Sequence, residues 1–230
     1  MIMRKYDIFL FDADNTLYDY DAAEAYALKT MFERCGFNYS ENIRTKYREI
    51  NGPLWENFAR GEILKEDLQN VRFARLFKEV GVQYNEVDFN IRYLVELGKA
   101  SFLIDGAEEI CRTIVCNNKQ LFIVTNGILA TQESRIKHSL LKDYISDSFV
   151  SEIIGYKKPD IEYFEHVFSH IPQVSKDKIL IIGDSLTADI AGGNRAGIDS
   201  CWFNEKKTKN NTKLKPTYEI SRLSELMRLI

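Results

Sequence analysis

The eight residues Phe9-Leu10-Phe11-Asp12-Ala13-Asp14-Asn15-Thr16 constrain the fold of this chain more than any other stretch. A run from Tyr6 to Phe11 that is nearly all aromatic or branched stops at two carboxylates one residue apart. It is too short for a helix and is bounded by polar residues, so it reads as a strand buried on both faces. Asp12 and Asp14 then leave the carboxyl end of that strand, where open α/β sheets place their ligand crevice. Two acids so close repel each other unless a cation or a proton compensates them. Asp and Asn after a strand are also ordinary turn residues, so the rest of the chain must decide.

After Thr16 only helical periodicity follows, over Ala22–Cys35, Glu41–Phe58, Lys65–Val80 and Glu86–Gly98, punctuated by Gly36, Ser40, Gly61 and Gly81. A block of consecutive helices inside an α/β chain predicts an inserted helical domain over 18–99, with the α/β core formed by 1–17 and 100–230. From Asp105 strands alternate with short helices: Ala107–Cys116, Gln120–Thr125, Leu129–Leu141, Ser148–Ser151, Asp160–His170, Lys178–Ile182, Thr187–Ala196 and Asp199–Phe203. That rhythm predicts a doubly wound, mostly parallel sheet, and Ser221–Ile230 reads as a closing helix.

Three more polar clusters fall just past apolar runs. They are Thr125-Asn126-Gly127, Gly155-Tyr156-Lys157-Lys158-Pro159, and Gly183-Asp184-Ser185 with Asp189 beyond it. Parallel strands share one carboxyl end, so Asp12, Asp14, Thr125, Lys158 and Asp184 should converge. Asp12 and Asp184, with a backbone carbonyl, offer the hard oxygen ligands that suit Mg²⁺. Thr125 and the N–H groups of Asn126 and Gly127 suit an anion near a helix start, and Lys158 adds a point positive charge. Together these parts describe a site for phosphoryl transfer. No glycine-rich Walker loop is present.

In this order the four clusters resemble the motifs of the haloacid dehalogenase superfamily: Asp12-x-Asp14-x-Thr16, Thr125-Asn126-Gly127, Lys158-Pro159 and Gly183-Asp184-x₄-Asp189. The helical block sits where that superfamily inserts an α-helical cap. The resemblance implies that Asp12 attacks phosphorus to form an aspartyl phosphate, while Asp14 protonates the leaving alkoxide and then activates water. It implies that Asp184, Asp12 and the carbonyl of Asp14 hold Mg²⁺, with Asp189 and Thr16 supporting the site from outside. Thr125 and Lys158 would hold the phosphoryl oxygens. Asp14 favours phosphate esters over carbon–halogen bonds, because an alkoxide leaving group needs a proton donor.

Gln132 and Arg135 after Thr125-Asn126-Gly127, the run Cys201-Trp202-Phe203-Asn204, and Trp55, Phe58, Arg60-Gly61-Glu62 and Arg72-Phe73 are similar to bacterial 5′-nucleotidases. That group acts on pyrimidine and non-canonical nucleoside monophosphates. The alternatives are a phosphoglycolate or sugar-phosphate phosphatase, a phosphosugar mutase, a haloacid dehalogenase, or a non-catalytic module. Trp55 and Phe58 read as filling the helical domain's core, with base stacking as the other reading.

Composition narrows the partners. The chain is 45% hydrophobic, with 31 basic and 34 acidic side chains and a net charge of −3. It can bury a core, and the balance argues against a nucleic-acid surface built on bulk charge. The apolar run behind Arg4 and Lys5 is too short for a signal peptide and no run is long enough to span a bilayer. Cys35, Cys111, Cys116 and Cys201 form no Cys-x-x-Cys pair. A cytoplasmic enzyme with free thiols, acting on a small phosphate ester away from membranes, is expected.

Overall fold

The computed structural model describes residues 6–230, so Arg4 and Lys5 lie outside it. The described residues divide into two compact units, one formed by the chain through Tyr20 together with Ser101–Ile230, the other by Asp21–Ala100.

The first unit begins with β1 (Ile8–Phe11). The second is built from α1 (Tyr20–Arg34), α2 (Glu41–Arg60), α3 (Lys65–Val80) and α4 (Glu86–Lys99). The first unit resumes with α5 (Ala107–Cys116), β2 (Gln120–Thr125), α6 (Leu129–His138), β3 (Asp147–Val150) and α7 (Ser151–Ile154). There follow α8 (Ile161–His170), β4 (Ile179–Gly183), α9 (Ala191–Ala196), β5 (Asp199–Phe203) and β6 (Tyr218–Ile220).

The six strands form one sheet in the order β3-β2-β1-β4-β5-β6, and every pairing is parallel. Side chains of β1 alternate between the two faces, as the period of a strand requires. Phe9 and Phe11 join a core with Ile110, Ile114, Leu121, Ile123, Leu180, Ile182, Leu223 and Leu226. Ile8 and Leu10 point the other way, into a core with Phe122, Val124, Tyr163, Phe164, Val167 and Ile181. The central strand is therefore covered on both sides, which is why it reads as a continuous apolar run without alternation.

In the helical unit Phe32, Phe73, Phe77, Phe89, Tyr47 and Tyr93 are buried together, with ring centroids such as Phe73–Phe89 at 4.8 Å. Buried Arg72 gives hydrogen bonds to Asn90 Oδ1 and Tyr47 Oη at 2.6 to 3.3 Å. Gly61 and Gly81 end α2 and α3 in left-handed conformations with φ of 77° and 71°, where a Cβ would be strained. Trp55 and Phe58 are only half-buried and pair edge-to-face at 5.7 Å, so they fill less of this core than expected. Arg60 is exposed and tied to Glu62 at 2.7 Å in a solvated turn.

Two stretches differ from the sequence reading. The expected helix from Thr187 begins as a five-residue π-turn, Leu186–Ile190, before α9; Asp189 inside it turns back to accept from Ser185 N at 3.1 Å. The tail forms a 3₁₀ segment, Leu223–Leu229, preceded by the edge strand β6. Three residues, Tyr218-Glu219-Ile220, are too few to show a period in sequence. No helix among the described residues is long and apolar enough to cross a membrane.

Candidate active site

Sheet register places the site. Phe11 is level with Ile123 on β2 and Ile182 on β4, so Asp12, Thr125 and Asp184 leave neighbouring strands within a residue or two of one level. The Asp12 amide donates to Ile182 O at 2.8 Å, which carries the β1–β4 pairing to the first carboxylate. Lys158 arrives from the segment between α7 and α8, held by Asn126. The side chain of Asn126 gives a hydrogen bond to Lys158 O and accepts one from Lys158 N, both at 2.9 Å.

The Lys158 ammonium is almost fully buried and donates to Asp12 Oδ1 at 2.6 Å, Asp189 Oδ1 at 2.6 Å and Val124 O at 2.7 Å. A lysine has three protons to give, and all three are used inside the protein. From sequence, Lys158 is expected to hold phosphoryl oxygens. Here it first neutralises Asp12 and Asp189, because two buried carboxylates beside it would otherwise stand unpaired. Burial alone would lower the Lys158 pKa, but Asp12 and then Asp189 outweigh it and hold the ammonium charged. Burial, and less strongly Asp189 and Asp14, push the Asp12 carboxyl up to about 7 against the lowering effect of Lys158. Thr16 Oγ1 lies 3.5 Å from Asp12 Oδ2.

Asp184 is half-buried, and its backbone carbonyl accepts from the Trp202 indole at 2.9 Å. Burial, then Asp12 and Asp189, hold its carboxyl well above the usual carboxylate range. Asp12, Asp184 and Asp189 each bring an oxygen within 4.8 Å of the others. The four acids Asp12, Asp14, Asp184 and Asp189 face two cations, Lys158 and Arg135. With all four ionised, four minus two leaves two negative charges, and that excess is part of what raises Asp12 and Asp184; a divalent ion would cancel it. Oxygen-only donors suit a hard cation such as Mg²⁺. Asp189 uses both oxygens in short contacts, on Lys158 and Ser185 N, whereas Asp12 Oδ2 has only the 3.5 Å contact with Thr16, so Asp12 and Asp184 are the freer donors.

Gly183 makes this packing possible. A Cβ there would fall 2.1 Å from Asp189 Oδ2 and 2.2 Å from its Cγ. Gly183→Ala must therefore push Asp189 away from Lys158. The expected outcome is a loss of about 1–3 kcal/mol of stability by thermal or denaturant unfolding; an unchanged midpoint would show that the cluster gives way freely.

Asp14 is engaged at both oxygens. Oδ1 pairs with the fully buried Arg135 and Oδ2 accepts from Gln132 Nε2 at 2.6 Å. Thr125 Oγ1 accepts from Gly127 N at 3.0 Å, so one amide expected to face an anion turns inward to its own loop. The α6 helix itself starts at Leu129, beyond that loop. The contacts of Asn126, Gln132, Arg135 and Trp202 leave no mark in the sequence beside those residues. The strand-end positions of Asn126 and Trp202 were a signal, but the partners lie 32 and 18 residues away.

A parallel sheet whose strand ends carry acids, met at one edge by a buried lysine from the segment after α7, defines a Rossmann-like α/β protein with an acid-rich crevice. Residues 6–197 match the haloacid dehalogenase-like hydrolases, and the chain belongs to that family. It is 41% identical to the HAD-hydrolase YfnB of Bacillus subtilis over 228 residues, 99% of this chain and 97% of that one. A crystal structure of YfnB bound to magnesium superposes with a TM-score of 0.91, covering 97% of both chains. The pyrimidine 5′-nucleotidase PynA of Streptococcus pneumoniae is 37% identical over 96% of this chain and 94% of its own length. The pyrimidine 5′-nucleotidase YjjG of Escherichia coli is 29% identical over 98% of each.

Proposed function

We propose that this protein is a Mg²⁺-dependent phosphomonoesterase that works through an aspartyl phosphate on Asp12, with pyrimidine or non-canonical nucleoside 5′-monophosphates as its substrates. The observation that carries the reading is the Asp12–Lys158–Asp189 cluster at the carboxyl edge of β1 and β4. It holds Asp12, the nucleophile of this reading, on a buried base where one lysine offsets part of the charge of two acids. Likeness to PynA and YjjG over nearly the whole chain supports the nucleotide class.

In this reading one oxygen of Asp12 forms the bond to phosphorus as the ester P–O bond breaks, and Asp14 gives its proton to the departing alkoxide. Asp14 then takes a proton from the water that cleaves the aspartyl phosphate. Thr125 and Lys158 hold phosphoryl oxygens, Lys158 exchanging part of its bonding to Asp12 for the incoming oxygens, and Asn126 fixes Lys158 in place. Asp12, Asp184 and the carbonyl of Asp14 would hold Mg²⁺, which supplies positive charge against the phosphoryl oxygens. Asp189 and Thr16 support these groups, and the helical unit acts as a cap that selects the substrate.

The test is phosphate release with Mg²⁺ across nucleoside monophosphates, sugar phosphates and phosphoglycolate. Pyrimidine monophosphates are expected to lead, with release abolished by EDTA. A profile led by phosphoglycolate or a sugar phosphate would sink the nucleotide assignment, and halide release from a haloacid without metal would sink the phosphatase. Asp14→Asn is expected to slow turnover of nucleoside monophosphates by about 10²–10⁴-fold. Normal turnover of such a poor leaving group would remove Asp14 from the acid–base role.

A further inference from the structure

We infer that Gln132 and Arg135 form a clamp that positions the Asp14 carboxylate, so that the acid–base step depends on two α6 side chains that need not touch the substrate. The inference rests on the reading of Asp14 as the proton carrier.

Four observations converge on it. Gln132 and Arg135 stand three residues apart on α6, on one face, and both are buried. Each reaches a different oxygen of the same carboxylate, Gln132 at Oδ2 and Arg135 at Oδ1. Two donors on two oxygens fix the carboxyl plane as well as its place, which a single hydrogen bond does not. The Asp14 side chain keeps 29% exposure beside an Arg135 that has none, so the clamped carboxylate stays within reach of solvent.

The second observation is what these side chains do not do. Gln132 Oε1 and Arg135 Nε and Nη2 find no other hydrogen-bond partner among the described residues. A buried arginine kept for structure is expected to spread its donors over several acceptors, because each unsatisfied one is costly. Here the hydrogen bonds of both side chains go to Asp14 alone.

Gly127 supplies the third. A Cβ at Gly127 would lie 2.2 Å from Gln132 Nε2 and 2.9 Å from its Cδ. Gln132 passes over the glycine to reach Asp14, so the path exists only because residue 127 has no side chain. The Thr125-Asn126-Gly127 turn thus serves the neighbouring acid as well as its own loop.

The last is the floor beneath the clamp. The Arg135 guanidinium lies over the Tyr18 ring at 5.5 Å from its centroid. Tyr18 closes the turn that carries Asp14, accepting from Asn15 N at 2.7 Å and donating to Ala13 O at 2.9 Å. Arg135 therefore grips both the carboxylate and the loop that presents it.

A positioning role separates from a structural one by the leaving group. Gln132→Met and Arg135→Met, with Arg135→Lys as the conservative form, are compared on a nucleoside 5′-monophosphate and on p-nitrophenyl phosphate. The first leaving group needs a proton; p-nitrophenolate does not. For both Met variants kcat on the monophosphate is expected to fall about 10²-fold, the cost of misplacing a reacting group by about 1 Å, with KM changed less than about twofold. The first-turnover burst of p-nitrophenolate keeps its rate, and Arg135→Lys recovers about tenfold of the loss. Adding Gln132→Met to Asp14→Asn is expected to cause no further fall, since groups acting as a unit are not additive. Equal losses in burst and monophosphate turnover, no loss in either, or a full additional loss in the double variant would each overturn the clamp. Gln132→Met places a similar volume in the same space, so the test survives if Arg135→Met does not fold. Asp12→Asn runs as the control: turnover persisting there overturns the underlying phosphatase mechanism and not merely the clamp.

Discussion

Asp12→Asn is expected to abolish phosphate release while the protein stays folded. An amide cannot form the aspartyl phosphate, and removal of a covalent nucleophile costs about 10³-fold or more in kcat. Stability follows a different logic. Burial has already raised the Asp12 carboxyl to about 7, against Lys158, so its charged form is less favoured here than in water. An amide of the same shape removes one negative charge from a group of four acids and still offers an oxygen to Lys158. Lys158 also keeps its bonds to Asp189 and Val124. The unfolding midpoint is therefore expected to move by no more than about 2–4 °C, the equivalent of about 1 kcal/mol in a chain of this size. Phosphate release and a thermal melt on the same preparation check both halves. Turnover above about a tenth of wild type would remove Asp12 as the nucleophile. A lost midpoint would mean that the charge of Asp12, and not just its shape, holds the site together.

That contrast bears on what a single sequence can reveal. The carboxyl-edge positions of Asp12, Thr125 and Asp184 were legible because each follows an apolar run, and parallel strands put run ends on one edge; Lys158 reaches that edge only after α7 and a loop. The sheet was legible for the same reason: β1, β2, β4 and β5 are too apolar and too short for anything but buried strands. What stayed hidden is the pairing of side chains across the chain. Nothing near Lys158 in sequence says that its charge is spent on Asp12, 146 residues away, and on Asp189. Nothing near Asp14 names Arg135, 121 residues away, as the cation beside it. Such pairs are set by register and by the exit angle of each loop, and neither leaves a period in the sequence. The π-turn at Leu186–Ile190 was hidden likewise, since its purpose is to turn Asp189 back toward Ser185 and Lys158.

Lys158→Met carries the largest expected cost in stability. The thioether matches the lysine stem in length and packs in the same channel, but it leaves Asp12 and Asp189 without their shared cation and Val124 O without its donor. Removing one partner of a buried ion pair costs about 3–5 kcal/mol, which lowers the midpoint by about 6–20 °C at about 2–4 °C per kcal/mol. The pH dependence has a fixed sign. An acid whose folded pKa lies above its unfolded value of about 3.9 loses stability as pH rises from that value to the folded one. With Lys158 present the Asp12 window closes near 7; without it the folded value moves higher still, so the penalty continues to grow above that pH. The deficit of the variant is therefore expected to be larger at about pH 9 than at about pH 6. A deficit that shrank with rising pH would contradict the ion-pair account. Asp12→Asn added to Lys158→Met then relieves one of the two stranded charges. The double variant is expected to melt above the Lys158→Met single, because contacting residues couple and do not add. An equal or lower midpoint would mean that the lost lysine acted through packing alone.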